Sequence, residues 1–182
     1  MTAPASPRPL YRVRQFWRAL SAQPDGRELA AAQAVLPPPQ YALFRRMQPS
    51  EQAHSLGVLR QLHQQALPPQ DLQVAALLHD AGKCLAPLQL WERAWIVLAA
   101  AIAPGWAQRQ GSQPFQQAIP FWQRPLVVAC QHPEWGAKLA EEAGASALAV
   151  AVIRRHQEKI DPADSSPEAA LLRRLQAVDD RN

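Results

Sequence analysis

The sequence predicts an all-α protein, and three observations support this prediction. The 182 residues include 18 Pro but only 7 Gly, and β-branched residues are sparse beside Ala, Leu and Gln. Apolar residues recur with helical spacing in most segments, and no segment shows the alternation of a strand. The prolines lie mainly between these segments, where they end one helix and begin the next. We therefore expect a helical bundle over residues 41–182, preceded by an extension over residues 1–40.

The extension and the first part of the bundle are predicted from apolar spacing and from helix-capping residues. Residues 1–9 form a Pro-rich tail. Asp25 is a suitable N-cap for the second helix, and Pro49 begins the longest one. The predicted helices in this part of the chain cover residues 10–21, 25–35, 41–47 and 50–67.

The second part of the chain contains the most apolar predicted helix, which starts with Asp71 as its N-cap and stops at Gly82. Because this helix is apolar on almost every side, we expect it to be central. Residues 104–124 are rich in Pro, Gly, Gln and aromatic residues and are predicted to be an irregular insertion. The predicted helices are residues 71–81, 88–103, 125–131 with a restart at Pro133 up to Gly144, 146–157 and 168–180.

Charge, cysteine content and hydropathy exclude several classes of function. The net charge of +4 is spread along the chain without a run of five bases, so it does not indicate a nucleic-acid partner, and it is compatible with a small anionic substrate. Two cysteines, Cys84 and Cys130, cannot form a disulfide framework, which suits a reducing, cytoplasmic compartment. The longest apolar run has 14 residues, from Ala94 to Ala107, and Pro104 and Gly105 interrupt it. A membrane span needs about 20 residues, so we expect no transmembrane segment.

The pair His79-Asp80 is the most informative feature, because it ends the most apolar helix. A buried imidazole beside a buried carboxylate needs a cap, a salt bridge or a metal ion as its partner. The two ligand types together suit a divalent cation such as Mn²⁺, Fe²⁺, Zn²⁺ or Mg²⁺. Lys83 follows the turn at Gly82 and is well placed to contact an anionic substrate oxygen.

Several motifs resemble the HD superfamily of metal-dependent phosphohydrolases. The string LHDAGK at residues 78–83 is similar to the HD-x-G-K form of HDIG and HD-GYP proteins. Residues 131–137, QHPEWGA, resemble the family's His-Pro-x-x-Gly-Ala segment, and Arg155-His156 stands where those proteins have His-His. The resemblance covers roughly residues 48–182. No Gly-Tyr-Pro motif follows, which argues against cyclic di-GMP as the substrate.

The resemblance implies an HD domain with one or two divalent metal ions, of Mn, Fe, Zn, Ni or Mg. It assigns the first metal to His54, His79, Asp80 and Asp179, and a second to His132 and His156, with Asp80 as the bridge. Asp180 remains an alternative to Asp179. The implied activity is hydrolysis of a small, nucleotide-like phosphomonoester or phosphodiester by a metal-activated water. Lys83 and Arg155 would offset the charge on the phosphoryl oxygens.

Other functions stay open at this level. The same six ligands match HD-type proteins that hold two irons and activate dioxygen. An HD domain can also act as a non-catalytic regulatory or interaction module. Glu51, three residues before His54, is compatible with a role beside the metal or with a surface position. The Trp-rich stretch over residues 88–124 can form a lid, a pocket wall or a dimer surface, so a homodimer remains open.

Overall fold

The computed structural model describes residues 23–115 and 119–179. Within these residues it contains nine α-helices, one 3₁₀ helix and no strand, which confirms the all-α prediction. The predicted tail, the predicted helix over residues 10–21, and Asp180 lie outside the described residues. The elements are α1 (Gly26–Val35), α2 (Pro38–Arg45), α3 (Pro49–Gln65), α4 (Gln70–Leu78), the 3₁₀ helix (Ala81–Leu85), α5 (Leu90–Ile102), α6 (Pro104–Gly111), α7 (Arg124–Glu142), α8 (Ala147–Arg155) and α9 (Pro167–Asp179).

Three of the predicted helix ends are confirmed by their backbone contacts. The Asp25 carboxylate accepts from the first turn of α1, and the side chain of Glu28 completes a capping box. The Ser146 hydroxyl accepts from the amide of Ala149 at 3.1 Å and caps α8. Gly144 has a φ of +77° just after α7, a conformation that favours glycine at a helix end.

Two predictions about α4 are wrong. The helix begins at Gln70, so Asp71 lies in its first turn, where its carboxylate accepts from the Ser146 hydroxyl. The helix ends at Leu78, and the chain continues into the 3₁₀ helix, which includes Gly82. Gly82 therefore does not stop the α-helix, and its role is the close backbone contact described below.

Two predictions about proline are also wrong. Pro133 does not restart a helix, because α7 runs through it without a break. Residues 104–124 are not wholly irregular, because Pro104 begins helix α6. A proline in the first turn of a helix needs no amide partner, which explains why α6 can start there.

Helix α4 is central, as predicted, and most of its residues are fully buried. It packs against α3, α8 and α9, while α7 packs against the 3₁₀ helix and α8. Helices α5 and α6 cover the other side of α7, where Trp106 lies between Trp95 and Trp122. This arrangement brings the end of α4, the middle of α7 and the end of α8 to one place.

In the described part of the chain, no single helix is both long and apolar enough to cross a membrane. One pair of segments, Gln70–Leu85 and Leu90–Ile102, meets the length and hydropathy criteria only in combination, with a bend of 107° between them.

Candidate metal centre

Five helices bring four histidines and two aspartates together. His54 lies in α3, His79 and Asp80 follow α4, and His132 lies in the middle of α7. His156 follows α8 directly, and Asp179 is the last residue of α9. The central members are buried, and none of these residues is more than 5% exposed: His79, Asp80, His132 and His156.

The three buried histidines are oriented in the same way by the helix that carries each of them. Each ring places Nδ1 within hydrogen-bond distance of a backbone carbonyl one turn earlier. A carbonyl only accepts, so Nδ1 carries the proton and donates, which leaves Nε2 of the neutral ring free to bind a metal. The distances are 3.0 Å from His79 to Ala76, 3.0 Å from His132 to Ala129 and 2.8 Å from His156 to Ile153.

Pro133 explains the acceptor that His132 uses. A residue at position 133 of a regular helix would donate its amide to the carbonyl of Ala129. Proline has no amide hydrogen, so that carbonyl is left without its helical partner. The His132 ring donates to the same carbonyl at 3.0 Å and also lies 3.1 Å from the carbonyl of Val128. The proline therefore supplies an acceptor that helps to orient a candidate ligand.

The potential ligands form two overlapping groups that share Asp80. One group is His54, His79 and Asp80, and the other is Asp80, His132 and His156; within each, the ligand atoms lie within 4.8 Å of one another. Asp80 Oδ1 lies 3.2 Å from His132 Nε2, and Asp80 Oδ2 lies 3.8 Å from His79 Nε2. The shared carboxylate is thus positioned between the two groups, as the resemblance implies for a bridging ligand.

Asp179 joins the first group at the other side of the cluster. Its Oδ1 lies 2.8 Å from His54 Nε2 and 3.5 Å from His79 Nε2. The hydrogen bond with His54 links the last residue of α9 to α3. Of the two acids considered from sequence, Asp179 therefore reaches the cluster, and Asp180 lies outside the described residues.

The residues of this cluster fit a divalent cation. The Nε2 atoms of His79 and His132 are buried and make no hydrogen bond. Carboxylate oxygens of Asp179 and Asp80 lie 3.5 Å and 3.2 Å from these two atoms, but a carboxylate oxygen, like an unprotonated Nε2, only accepts. A buried polar atom without a partner costs about 1–3 kcal/mol, and a cation bound to both atoms removes that cost. Imidazole nitrogens and carboxylate oxygens together are the ligands of Mn²⁺, Fe²⁺ and Zn²⁺.

The charges of the cluster also suit a cation. Burial alone would lower the pKa of His79, but the carboxylates of Asp80 and Asp179 outweigh it and raise that pKa to about 9. Burial and the neighbouring His79 and His132 rings lower the pKa of His156 to about 3. Burial would raise the pKa of Asp80, but Lys83 and His79 hold it well below its usual value. Two ionised carboxylates thus attract a positive charge to the buried rings.

Lys83 lies at the edge of the cluster, as the sequence predicts. Its Nζ is 2.7 Å from Asp80 Oδ2, and 20% of its side chain is exposed. Together with His132 it lines a cavity of 270 Å³ whose walls include Ile96, Val97 and Ala129. The ammonium group is therefore within reach of a ligand that enters this cavity.

Sequence reasoning missed Arg93, which lines the same cavity. Its Nη2 lies 2.9 Å from Glu51 Oε1, and Glu51 is only 2% exposed. The surface position considered for Glu51 is therefore wrong, because the residue forms a buried ion pair. The available signal was the helix over residues 88–103, in which Glu92 and Arg93 are the only charged residues.

Arg155 does not join the cluster. Its guanidinium binds Glu158 at 2.8 Å and Glu168 at 2.6 Å, and these are its ion pairs among the described residues. Two carboxylates already neutralise it, so the expectation that it contacts substrate is not supported. His63 also lies elsewhere, on an exposed face where it contacts Gln73 at 3.3 Å.

Comparison with known families gives one match. A family model described as HD domain matches residues 52–180, which is most of the chain. The matched range contains all six potential ligands, from His54 in α3 to Asp179 at the end of α9. Comparisons with curated proteins and with solved structures give no significant match.

Proposed function

The chain belongs to the HD domain family, and from this membership we propose that it is a metal-dependent phosphohydrolase that acts on a small phosphate ester. One observation carries the proposal. Four histidines and two aspartates from five helices converge, and two of their buried Nε2 atoms make no hydrogen bond. Such a set of nitrogen and oxygen ligands is typical of a hydrolytic metal site.

Two cations can be held by these side chains. His54, His79, Asp80 and Asp179 would hold the first, and Asp80, His132 and His156 the second. When bound, divalent cations lower the pKa of water and offset the charge of phosphoryl oxygens. The Nδ1 hydrogen bonds of the buried histidines keep the rings in one orientation, which preserves the geometry of the site.

Lys83 is proposed to bind the substrate. Its ammonium group lies between Asp80 and the cavity, so it can donate to a phosphoryl oxygen there. At this position the ammonium group can stabilise negative charge that develops on a phosphoryl oxygen during the reaction. Arg93 lines the same cavity, but its guanidinium is paired with Glu51, so Lys83 is the proposed substrate contact.

Two adjoining cavities beside His132 bear on the size of the substrate. The smaller one has a volume of 270 Å³, which suits a phosphoryl group with a small organic substituent. A larger cavity of 620 Å³ shares Ile96, Ala129 and Gln157 with it and can receive a longer substituent. These features support a nucleotide-like or other small phosphate ester as the substrate class.

The proposal is tested with the 182-residue protein after reconstitution with Mn²⁺, Fe²⁺, Zn²⁺ or Ni²⁺. We expect turnover of a phosphomonoester or phosphodiester probe such as p-nitrophenyl phosphate, its bis ester or a nucleoside monophosphate. Lys83→Ala should lower kcat by roughly 100-fold, a typical effect of removing one charge-stabilising donor. Lys138→Ala is the control, because Lys138 lies on an exposed face of α7.

Two outcomes would contradict the proposal. The first is a folded, metal-loaded protein that hydrolyses none of these probes. The second is a protein that retains two irons and consumes dioxygen, because that result would assign the same ligands to oxygen activation.

A further inference from the structure

Helix α5 has the reverse of the usual surface pattern. A surface helix normally turns its apolar residues inward and its charged residues toward solvent. In α5 the two charged residues turn inward, beside the apolar Ile96 and Ala99. Glu92 is 3% exposed and binds Arg124 at 2.5 Å, while Arg93 binds Glu51 at 2.9 Å.

The outward side of α5 is entirely apolar. We call this surface the apolar stripe, and it consists of Leu90, Trp91, Ala94, Val97, Leu98, Ala101 and Ile102, all exposed. The aliphatic members are strongly exposed, with 58% for Val97, 50% for Leu98 and 74% for Ile102. Phe121, which is 73% exposed, packs against Trp91 with 6.1 Å between ring centroids and extends the stripe.

The size of the stripe exceeds what a monomer normally exposes. Its large side chains together with Phe121 present on the order of 700 Å² of apolar surface, against about 300–600 Å² for the largest patch of a typical monomer. Exposed apolar area of this size marks a surface that another molecule covers.

We propose that the apolar stripe is the contact surface of a homodimer in which α5 packs against α5 of a second copy. Leu90, Ala94, Val97 and Ala101 follow one another at intervals of four, three and four residues, which is the spacing of helices that pack side by side. The small Ala94 and Ala101 allow two helix backbones to approach closely. A two-fold axis places a surface against itself, and the stripe contains no charge that such a contact would oppose.

The area supports a second copy as the occupant. A stable interface buries about 800 Å² on each partner, and the stripe alone supplies most of that area. Its apolar character matches the interior of a homodimer interface, which is more apolar than the rest of a protein surface.

The charges beside the stripe favour a second copy over a lipid surface. Attraction to an anionic membrane needs free basic side chains near the apolar face. Arg93 is the one base within α5, and both it and the neighbouring Arg124 are paired with a buried glutamate. Helix α5 itself therefore supplies no free base to hold the stripe on an anionic membrane.

The stripe adjoins the proposed substrate cavity. Val97 belongs to the stripe and also lines the cavity of 270 Å³ beside His132. A second copy on α5 would therefore lie next to the cavity entrance. The dimer goes beyond the proposed function and does not depend on it, because the argument uses only the surface of α5.

Sedimentation velocity on the full chain tests the dimer. We expect the wild-type protein to sediment at twice the chain mass of 20.1 kDa at micromolar concentration. Leu98→Glu combined with Ile102→Glu should weaken dimerisation by roughly 100-fold or more, because it buries unpaired charges. Leu67→Glu is the matched control, since Leu67 is 80% exposed and precedes α4, away from the stripe in sequence.

Each variant is first compared with the wild type by far-ultraviolet circular dichroism, so that a loss of fold is recognised. A dimer that persists in the double variant would overturn the proposal. A wild-type protein that remains monomeric at all concentrations would also overturn it. If that monomer bound phosphatidylcholine vesicles, the stripe would be a lipid-binding surface instead. If the segment over residues 1–22 bound to the stripe, its partner would be another part of the same chain.

Discussion

Gly82 lies so close to the backbone of His132 that a Cβ at position 82 would be 2.1 Å from the His132 carbonyl oxygen. The same Cβ would be 2.7 Å from the amide nitrogen of Gly136. The missing side chain therefore allows the 3₁₀ helix to rest directly on α7. This contact sets the distance between Asp80, at the start of the 3₁₀ helix, and the ring of His132.

Gly82→Ala should destabilise the protein by about 3 kcal/mol, because backbone atoms on α7 cannot move away as a flexible side chain would. We also expect weaker metal binding, since Asp80 and His132 must separate. Thermal unfolding and metal titration measure the two effects. Gly105→Ala is the control, because a Cβ there meets no atom within 4 Å. Wild-type stability and metal affinity in Gly82→Ala would contradict the account of this contact.

Pro133→Ala should separate stability from metal binding. The new amide can donate to the carbonyl of Ala129, which restores a helical hydrogen bond and removes a residue that costs up to about 3 kcal/mol inside a helix. The His132 ring then competes for that carbonyl, so we expect higher stability with weaker metal binding. Chemical denaturation and metal titration measure both quantities. If the variant gains stability and binds metal as tightly as the wild type, Pro133 does not position His132.

Arg93→Met should destabilise the protein by about 3–5 kcal/mol, because it leaves the buried carboxylate of Glu51 without its partner. Burial raises the pKa of Glu51 above its ordinary value of 4.5, and the positive charges of Lys83 and Arg93 oppose that effect. Without Arg93 the ionised form becomes still less favourable in the folded protein. The stability difference from the wild type should therefore be largest at neutral pH and shrink as pH falls toward that ordinary value.

Urea unfolding near neutral pH and near pH 5 measures this dependence. The double variant Glu51→Gln/Arg93→Met is the control, because it removes the unpaired charge and should recover most of the lost stability. A deficit that stays constant over this pH range would show that packing, and not the ion pair, accounts for the effect of Arg93.

Arg155→Met should affect stability and not turnover. Its two ion pairs join the end of α8 to Glu158 and to the first turn of α9, through Glu168. We expect a lower unfolding temperature with unchanged metal content and unchanged kcat for the folded fraction. Loss of kcat at an unchanged unfolding temperature would instead return Arg155 to the substrate site.

Local signals in the sequence were sufficient for most helices and for the candidate ligands. His79-Asp80 ends an apolar helix, and Asp25 and Ser146 have the side chains that cap helices, so each is recognisable from its neighbours. The role of Gly82 was not predictable, because the atoms that exclude a Cβ belong to α7, far away in the sequence. The helix through Pro133 was missed because a ring nitrogen of His132 contacts the freed carbonyl, which the rules for isolated helices do not include.

The same limit applies to the charged residues of α5. The pairing of Arg93 with Glu51 joins residues 42 positions apart. Apolar spacing alone predicts a helix over residues 88–103, but it does not say which side of that helix faces solvent. Two ion pairs with buried glutamates turn the charged side inward, so the exposure of the apolar stripe could not be predicted from the sequence.

The central claim is that the His/Asp cluster holds divalent metal, and elemental analysis of the purified 182-residue protein tests it most directly. We predict near-stoichiometric Mn, Fe, Zn or Ni in the wild type and in His63→Ala, whose exposed ring lies outside the cluster. His132→Ala, which removes a buried Nε2 ligand, should lose much of that metal. A well-folded wild type without divalent metal, even after reconstitution, would contradict the account.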